Sequence, residues 1–256
     1  MTYTRADFCV IAAVDNDRIL AECLAASPDV ASGALPLTVI RGAGSMAEAY
    51  NAGLAQTEAA ICLFAHQDVY LPAGFLDRAA DRMNSLESDA PEWMVAGPYG
   101  VRKDGSHIGR VWDVNMGREL GERGFAPTSV ESLDELLLIL KRQPGCVFDP
   151  ALPHFHLYGT DLVQTAWAMG HSAWAVELLV VHNNRPYSSF GAGYVAGYKH
   201  VRRKWRRRLP LFTTICEISY NPLPLWRVQW RRRRVAERTE ALLAHAPEVA
   251  AKAGYE

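Results

Sequence analysis

The segment from residue 60 to residue 72 constrains the fold of this chain more than any other. An apolar run over residues 60–65 ends abruptly at His66, Gln67 and Asp68, and Pro72 opens the next segment. Buried parallel strands have this pattern, and open α/β sheets bind ligands just beyond the carboxyl ends of their strands. An Asp there, two residues after a His, is placed to hold a divalent cation and its phosphates. A polar loop after a core strand is the alternative, and this segment alone does not decide between them.

The first hundred residues alternate between strand and helix patterns. Ser45 and Glu48 form a capping-box pattern at the start of one helix, and Pro72 suits the first turn of another. This alternation predicts an α/β fold with a mostly parallel, doubly wound central sheet flanked by helices. The predicted strands are 8–14, 37–41, 60–65 and 93–97, and the predicted helices are 17–24, 47–57 and 73–83.

Beyond residue 97 the pattern is less regular. Residues 98–128 show no period and are predicted to be a long functional loop, a lid over an acceptor. A second capping box, Ser132 to Glu135, predicts a helix over residues 136–141. A further helix is predicted over 160–169 and a last strand over 174–181.

The charge distribution divides the chain in two. Residues 1–198 contain 13 basic and 23 acidic residues, whereas residues 199–256 contain 14 basic and 5 acidic residues. We therefore predict a nucleotide-binding and catalytic domain over 1–198 and a basic, helical, Arg-rich extension over 199–256. The extension suits an anionic membrane surface, phosphate or the acidic body, with a solvated helix face as the alternative. Nucleic-acid binding is not favoured, because no aromatic-interleaved repeat or nucleic-acid module is present.

Cysteine usage and hydropathy favour a cytoplasmic protein. The five cysteines lack paired spacing, which suits a reducing compartment better than a disulfide framework. The first residues lack the apolar centre of a signal peptide, and no apolar stretch approaches the roughly 20 residues of a membrane span. We expect a cytoplasmic location, with peripheral attachment at the inner face of the membrane through the basic extension.

Four polar segments follow predicted strands. If the strands are parallel, these segments meet at one edge of the sheet, where helix amino termini at Ser45 and Thr160 favour anions. The segments are Asp15, residues 42–45, residues 66–68 and His182.

These motifs resemble family 2 glycosyltransferases of the GT-A fold, and in particular the branch similar to a streptomycin-biosynthesis protein. The resemblance runs from about residue 8 to residue 205. Its matching segments are Asp15-Asn16, residues 45–53 from Ser45 to Gly53, residues 64–72 around His66-Gln67-Asp68, residues 155–161 ending in Tyr158-Gly159-Thr160-Asp161, and His182-Asn183.

The resemblance implies a metal site and a general base. Asp68 takes the metal-ligand position for Mn²⁺ or Mg²⁺, and His182 completes the coordination. His66 stands where the wider family usually has an Asp. Asp161 matches the base that takes the acceptor's proton, although a carboxylate in the first helical turn is also favourable for the helix alone.

The resemblance also implies two groups of ligand-binding residues. Arg203-Lys204-Trp205 in addition resembles the Arg-Trp ending of an acceptor motif in processive members, without the Gln that leads it. The residues assigned to the nucleotide sugar are Ala13, Asp15, Asn16, Arg41, Ser45, Asn51, His66 and Gln67. The residues assigned to the acceptor are Tyr99, Trp112, His156 and Tyr158.

The implied function is inverting, metal-dependent transfer of a sugar from a nucleoside-diphosphate donor to a hydroxyl acceptor, a saccharide or a lipid-linked one. Bacterial surface-polysaccharide biosynthesis or secondary-metabolite glycosylation is the expected setting. Two alternatives stay open from the sequence: a non-catalytic GT-A scaffold that binds a nucleotide or partner, and a membrane or nucleic-acid adaptor that acts through the Arg-rich tail.

Overall fold

A computed structural model describes residues 2–184, 191–232 and 244–256 of the chain. The basic extension contains four consecutive arginines at residues 231–234, and the two after Arg232 lie outside the described residues. The strands are β1 (Phe8–Val14), β2 (Leu37–Arg41), β3 (Ile61–Ala65), β4 (Val69–Tyr70), β5 (Trp93–Gly97), β6 (Tyr99–Val101), β7 (His107–Asp113), β8 (Arg118–Gly121), β9 (Thr128–Ser129), β10 (Ser132–Leu133), β11 (Leu137–Lys141), β12 (Ser172–Ala175), β13 (Val181–His182), β14 (Leu211–Phe212) and β15 (Glu217–Ile218).

The helices flank these strands. The helices predicted over residues 17–24, 47–57, 73–83 and 160–169 are present with shifted ends, and the third continues to Asp89. Among the described residues, no helix has the length and apolar character needed to cross a membrane. The α-helices are α1 (Asp17–Glu22), α2 (Pro28–Ala31), α3 (Met46–Leu54), α4 (Phe75–Asp89), α5 (Tyr158–Ala168), α6 (Ala192–Lys204), α7 (Leu223–Arg232) and α8 (Ala246–Lys252).

The central sheet has seven strands in the order β2-β1-β3-β11-β5-β12-β9. β1 pairs in parallel with β2 and β3, and β12 pairs in parallel with β5. β11 runs antiparallel to both β3 and β5, and β9 runs antiparallel to β12. Five of the seven strands thus run in the same direction, and β11 and β9 run in the opposite one. The predicted α/β fold with a mostly parallel central sheet is confirmed.

β3 shows why the central strands are continuous apolar runs. All five of its residues are buried. Cys62 and Phe64 pack into the core on one face of the sheet, and Ile61, Leu63 and Ala65 pack into the core on the other. Because both faces are covered, no position in the strand favours a polar side chain, and the polar residues begin only at His66.

Residues 98–128, predicted to be one irregular loop, instead contain β6, β7 and β8. They belong to a second sheet with the order β10-β6-β7-β13-β4, and β8 pairs with β7. Its strands approach closely at two glycines, since a Cβ on Gly121 would lie 1.8 Å from the Gly109 oxygen and one on Gly109 would lie 2.3 Å from the Pro98 oxygen. The glycines interrupt the alternation of side chains, so the sequence showed no strand period.

The helix predicted over residues 136–141 is wrong, because this segment is β11. Its run of apolar residues fits a buried strand as well as a helix, and its position between β3 and β5 decides the outcome. Ser132 does not cap a helix, since its hydroxyl bonds to Thr160 at 2.8 Å. The strand predicted over 174–181 is two strands, β12 and β13, in different sheets.

The basic region packs on the rest of the chain. The predicted boundary after residue 198 falls inside α6, whose Tyr198 and Val201 lie in the main core. α8 packs against Tyr70 and Val181, and the Tyr70 hydroxyl donates to Glu256 at 2.8 Å. The described residues of the basic region contain the end of α6, the helices α7 and α8, and the β14–β15 ribbon.

Gly53→Ala is expected to lower the free energy of unfolding by about 1–3 kcal/mol in urea denaturation. A Cβ at Gly53, in α3, would lie 2.3 Å from Cγ2 of the buried Ile11 in β1. The destabilisation by this overpacking should exceed the ~1 kcal/mol that Ala gains over Gly in helix propensity. Gly191→Ala is the control, because nothing lies within 4 Å of its Cβ. Equal stability of the two variants would contradict the described packing of α3 on β1.

Candidate nucleotide-sugar and metal site

A pocket of about 650 Å³ opens where β1, β2 and β3 end. The parallel direction of these three strands brings their carboxyl ends to one edge of the sheet, as the sequence predicted. The amino-terminal end of α3 closes one wall through Met46. The lining residues are Ala13, Val14, Asp15, Asp17, Ile40, Arg41, Gly42, Ala43, Met46, His66, Gln67, Asp68, Phe155 and His156.

His66, Asp68 and His182 come together at this pocket. One ligand atom from each residue lies within 4.8 Å of the other two, and His182 Nε2 lies 3.6 Å from Asp68 Oδ1. Each of the three residues is partly exposed, so an ion can reach them. Two imidazoles and one carboxylate are ligands that divalent transition metals accept. The donor set therefore fits a metal ion, in the positions that the sequence predicted for Asp68 and His182.

Strand pairing positions the three residues. His182 in β13 pairs with Val69 in β4, directly after Asp68. The Asn183 amide donates to the Asp68 carbonyl at 2.9 Å, and the His66 amide donates to the Leu136 carbonyl at 3.0 Å. The backbone on each side of the cluster is therefore held by hydrogen bonds rather than by side-chain contacts alone.

A hydrogen-bonded tyrosine orients His66. Its Nε2 lies 2.6 Å from the Tyr158 hydroxyl, which also lies 3.0 Å from the Glu135 carbonyl. The carbonyl can only accept a hydrogen bond. The hydroxyl therefore donates either to this carbonyl or to the imidazole nitrogen. Burial lowers the pKa of His66 and so favours the neutral imidazole, the form that ligates a metal. Tyr158, predicted to contact the acceptor, instead supports His66 from within the core.

Gln67 connects two strand ends. Its Oε1 accepts hydrogen bonds from the amides of Asp15 and Asn16 at 3.2 and 3.1 Å, and its Nε2 donates to the Asp15 carboxylate. The loop after β1 is thereby fixed to the turn after β3. Gln67 and Asp15 both line the pocket as predicted.

Of the other predicted nucleotide residues, Ala13 and Arg41 line the pocket, whereas Asn16 and Ser45 cap helices and do not line it. Asn16 caps α1, with its Oδ1 accepting from the amides of Arg18 and Ile19. Ser45 caps α3 by accepting from the Glu48 amide at 3.1 Å. Arg41 lies in the pocket wall and donates to Asp17 Oδ1 at 3.1 Å through Nε.

Three further predicted residues have side chains that are engaged away from the pocket. Asn51 accepts from the Phe148 amide and donates to the Phe148 carbonyl, at 2.9 and 2.8 Å, so its side-chain amide anchors a loop. The Tyr99 hydroxyl lies 3.2 Å from His107 Nδ1 in the second sheet. Trp112 in β7 packs against the apolar cluster that contains Tyr255. The predicted sugar stacking by Tyr99 and Trp112 has no support in these positions.

Asp161 lies in the first turn of α5 and is only 2% exposed. Its Oδ2 accepts from Lys204 Nζ at 2.8 Å, and its Oδ1 accepts from Trp205 Nε1 at 2.7 Å. Lys204 also lies 2.9 Å from Asp149 Oδ2. Asp161 does not line the pocket. The Arg203-Lys204-Trp205 motif was the one sequence signal that pointed to these partners.

Two of the lining residues, Phe155 and Met46, lie in motifs that were identified in the sequence, but no role was assigned to them. Phe155 is 42% exposed on the pocket, next to the predicted His156. Met46 closes the wall at the start of α3. Burial lowers the pKa of His156 and so favours its neutral form. An aromatic ring and an uncharged imidazole suit an apolar or stacking contact with a ligand.

Glu135 is a half-buried acid that the sequence misplaced in a helix cap. Its Oε1 accepts from the Gly159 amide at 3.1 Å, at the start of α5. Desolvation raises the pKa of Glu135 to about 8, against its hydrogen bonds with backbone amides. The carboxyl therefore holds a proton at neutral pH, beside the tyrosine that orients His66.

Comparison with known proteins finds a family match over one segment of the chain. Residues 9–76 match the sequence profile of a family described as glycosyltransferase-like. These residues contain β1, β2 and β3 and the His66-Gln67-Asp68 turn. The predicted resemblance to family 2 glycosyltransferases is thereby confirmed, and the narrower branch stays a prediction.

A curated relative is the ATP synthase subunits region ORF 6 protein of Fuscovulum blasticum. It is 29% identical to this chain over 157 residues, which is 58% of this chain. The match spans 60% of the relative's own length.

Solved structures resemble the chain more distantly. Mannosyltransferase PcManGT from Pyrobaculum calidifontis, in complex with GDP-Man and Mn²⁺, is 14% identical with a TM-score of 0.49, covering 98% of this chain and 74% of its own. S. aureus TarS 1-349 with UDP-GlcNAc is 16% identical with a TM-score of 0.46, covering 77% and 64%. These TM-scores are below 0.5. The fold class is therefore taken from the strand order of the chain itself.

Glu135→Gln is expected to change how stability depends on pH. Between about pH 4.5 and pH 8, the Glu135 carboxyl is protonated in the folded chain and ionised in the unfolded chain. The free energy of unfolding of the wild type therefore falls as the pH rises through this range. The slope is at most about 1.4 kcal/mol per pH unit, and the variant lacks it. Urea denaturation between about pH 5 and pH 9 measures the difference.

Glu122→Gln is the control, because Glu122 is exposed. Its stability profile should run parallel to that of the wild type. A Glu135→Gln profile that also runs parallel would show that Glu135 ionises normally.

Proposed function

We propose that this protein is an inverting, metal-dependent glycosyltransferase that moves a sugar from a nucleoside-diphosphate sugar to a hydroxyl acceptor. The observation that carries the proposal is the position of His66, Asp68 and His182 beside a pocket at the ends of three parallel strands. The glycosyltransferase-like profile over residues 9–76 supports the same class.

The pocket suits the nucleotide half of the donor. Open α/β sheets bind nucleotides at this edge, and a volume of about 650 Å³ is of the size that holds such a ligand. Asp15 and Gln67 offer polar atoms beside the wall, and Arg41 offers a cation for phosphate or ribose. Phe155 offers an exposed ring for stacking on the base or sugar.

His66, Asp68 and His182 would hold the metal. Because two of the three ligands are imidazoles, the set suits Mn²⁺ better than Mg²⁺, which prefers oxygen ligands throughout. When bound, the metal supplies positive charge that stabilises the departing diphosphate. Tyr158 and the backbone bonds of His66 and Asp68 keep the ligands in place before the ion arrives.

The transfer requires a base for the acceptor. The acceptor oxygen forms a bond to the anomeric carbon, the bond from that carbon to the phosphate oxygen breaks, and the electron pair leaves with the diphosphate. The acceptor's proton passes to Asp161, the proposed base. Because Lys204 and Trp205 occupy both of its oxygens, an acceptor hydroxyl has to replace one of them.

The two alternative functions, a non-catalytic scaffold and an adaptor, predict different experimental results. A non-catalytic scaffold would bind a nucleotide at the pocket without turnover. An adaptor that acts through the basic region would bind its partner unchanged after loss of Asp68. Turnover of a sugar nucleotide that requires both Asp68 and Asp161 excludes both.

Asp161→Asn is expected to lower kcat for sugar transfer by about 10²–10⁴-fold, because the amide cannot accept the acceptor's proton. Donor binding, followed by thermal shift, should be unchanged, since Asp161 does not line the pocket. Release of nucleoside diphosphate in the presence of Mn²⁺ measures the rate.

Asp149→Asn is the matched control. It removes the other carboxylate partner of Lys204 and leaves Asp161 in place. We expect a much smaller loss of kcat. Full activity of Asp161→Asn would refute the assignment of the base, and equal losses in the two variants would assign the effect to the position of Lys204.

A further inference from the structure

We infer that the surface formed by the end of α6, the turn after it and α7 binds an anionic lipid bilayer. Two separate features carry this inference: a pocket lined by cations and an exposed apolar helix face. Both lie outside the donor site, so the inference stands independently of the proposed transfer reaction.

The first feature is a basic pocket of about 640 Å³. Five of its seven lining residues are Lys or Arg, and none is acidic. The lining residues are Lys199, Arg202, Arg203, Arg206, Arg207, Leu209 and Tyr220. Side chains of this kind bind phosphate groups, and their mutual repulsion is relieved when an anion enters.

The second feature is one face of α7. Leu223, Trp226 and Trp230 follow one another at spacings of three and four residues and therefore share a helix face. They are 47%, 61% and 45% exposed. On the other side of the helix, Leu225 is buried and Val228 packs against the main core. α7 is thus docked on the body with its larger apolar side chains towards solvent.

Tyr220 joins the two features. It lines the basic pocket, its hydroxyl donates to the Arg206 carbonyl at 2.6 Å, and it precedes Leu223 by three residues. Arg227 adds an exposed cation to α7. The pocket and the helix face are therefore neighbouring parts of one surface.

A lipid bilayer fits this combination better than a nucleic acid. Leu and Trp on one helix face enter the boundary between headgroups and acyl chains, and Arg and Lys beside them meet lipid phosphates. A leucine beside the tryptophans adds apolar area that suits acyl chains and offers no ring for base stacking.

The surface also lies next to the proposed base. Arg203 and Arg206, which line the basic pocket, flank Lys204 and Trp205, which hold Asp161. If the transfer reaction is as proposed, an acceptor anchored in the bilayer would reach Asp161 from this side. Membrane binding itself does not require that reaction.

Co-sedimentation of the full chain with phosphatidylcholine vesicles, with and without phosphatidylglycerol, tests the inference. We expect binding only to the anionic vesicles. Arg203→Glu with Arg206→Glu should weaken it at least tenfold, since each basic charge near an anionic surface contributes about a fivefold change. Trp226→Ala should also weaken it severalfold, and Trp226→Phe should restore most of the loss.

Lys252→Glu is the matched control, because Lys252 is an exposed cation of α8 outside the basic pocket, and it should bind as the wild type does. Asp68→Ala should also bind vesicles normally, which separates this inference from the donor site. Absence of binding to anionic vesicles would overturn the inference. A second contrary result would be that the chain binds pyrophosphate or RNA in place of the vesicles, with the same affinity in Trp226→Ala as in the wild type. That result would assign the surface to a free phosphate ligand or a nucleic acid.

Discussion

The turn that follows β3 is the constraint on which the rest of the site depends. Gln67 fastens it to the loop after β1, the His66 amide fastens it to the strand β11, and the Asp68 carbonyl fastens it to Asn183 after β13. Each bond joins a different element, so the turn collects side chains that are far apart in sequence. His66 and Asp68 thereby meet His182, and Asp15 meets the same pocket. The proposed metal site and nucleotide pocket lie side by side because this turn is fixed from three sides.

Much of this arrangement could be predicted from the sequence, because its strands alternate with recognisable helix starts along the chain. Phe8–Val14, Leu37–Arg41 and Trp93–Gly97 were predicted with their observed bounds, and the first and last of these are buried apolar runs. Parallel pairing then requires that the residues after the strands meet. The meeting of Asp15 with residues 66–68 followed from that geometry, without a knowledge of side-chain contacts. His182 joins them from β13 of the second sheet, which the sequence did not predict.

What could not be predicted depends on long-range packing. The run Leu137–Lys141 has no period that separates strand from helix, and its insertion between β3 and β5 is settled by tertiary contacts. Asn51 belongs to a motif of the family, yet its amide is satisfied by the Phe148 backbone. The partners of Asp161 come from residues 43 and 44 positions later in the chain. No local pattern shows which polar side chains face the pocket and which face the core.

The central claim is that Asp68 joins a metal to a nucleotide in this pocket. The most direct test is a thermal-shift measurement with UDP-, GDP- and dTDP-sugars, each with and without Mn²⁺, on the wild type, on Asp68→Ala and on Asp81→Ala, which changes an exposed acid of α4. The account predicts that one nucleotide raises the Tm by roughly 5 °C or more at a hundredfold excess over its Kd, only with Mn²⁺. The shift should vanish in Asp68→Ala and persist in Asp81→Ala. A shift that survives Asp68→Ala, or the absence of a shift with every nucleotide in folded protein, would contradict it.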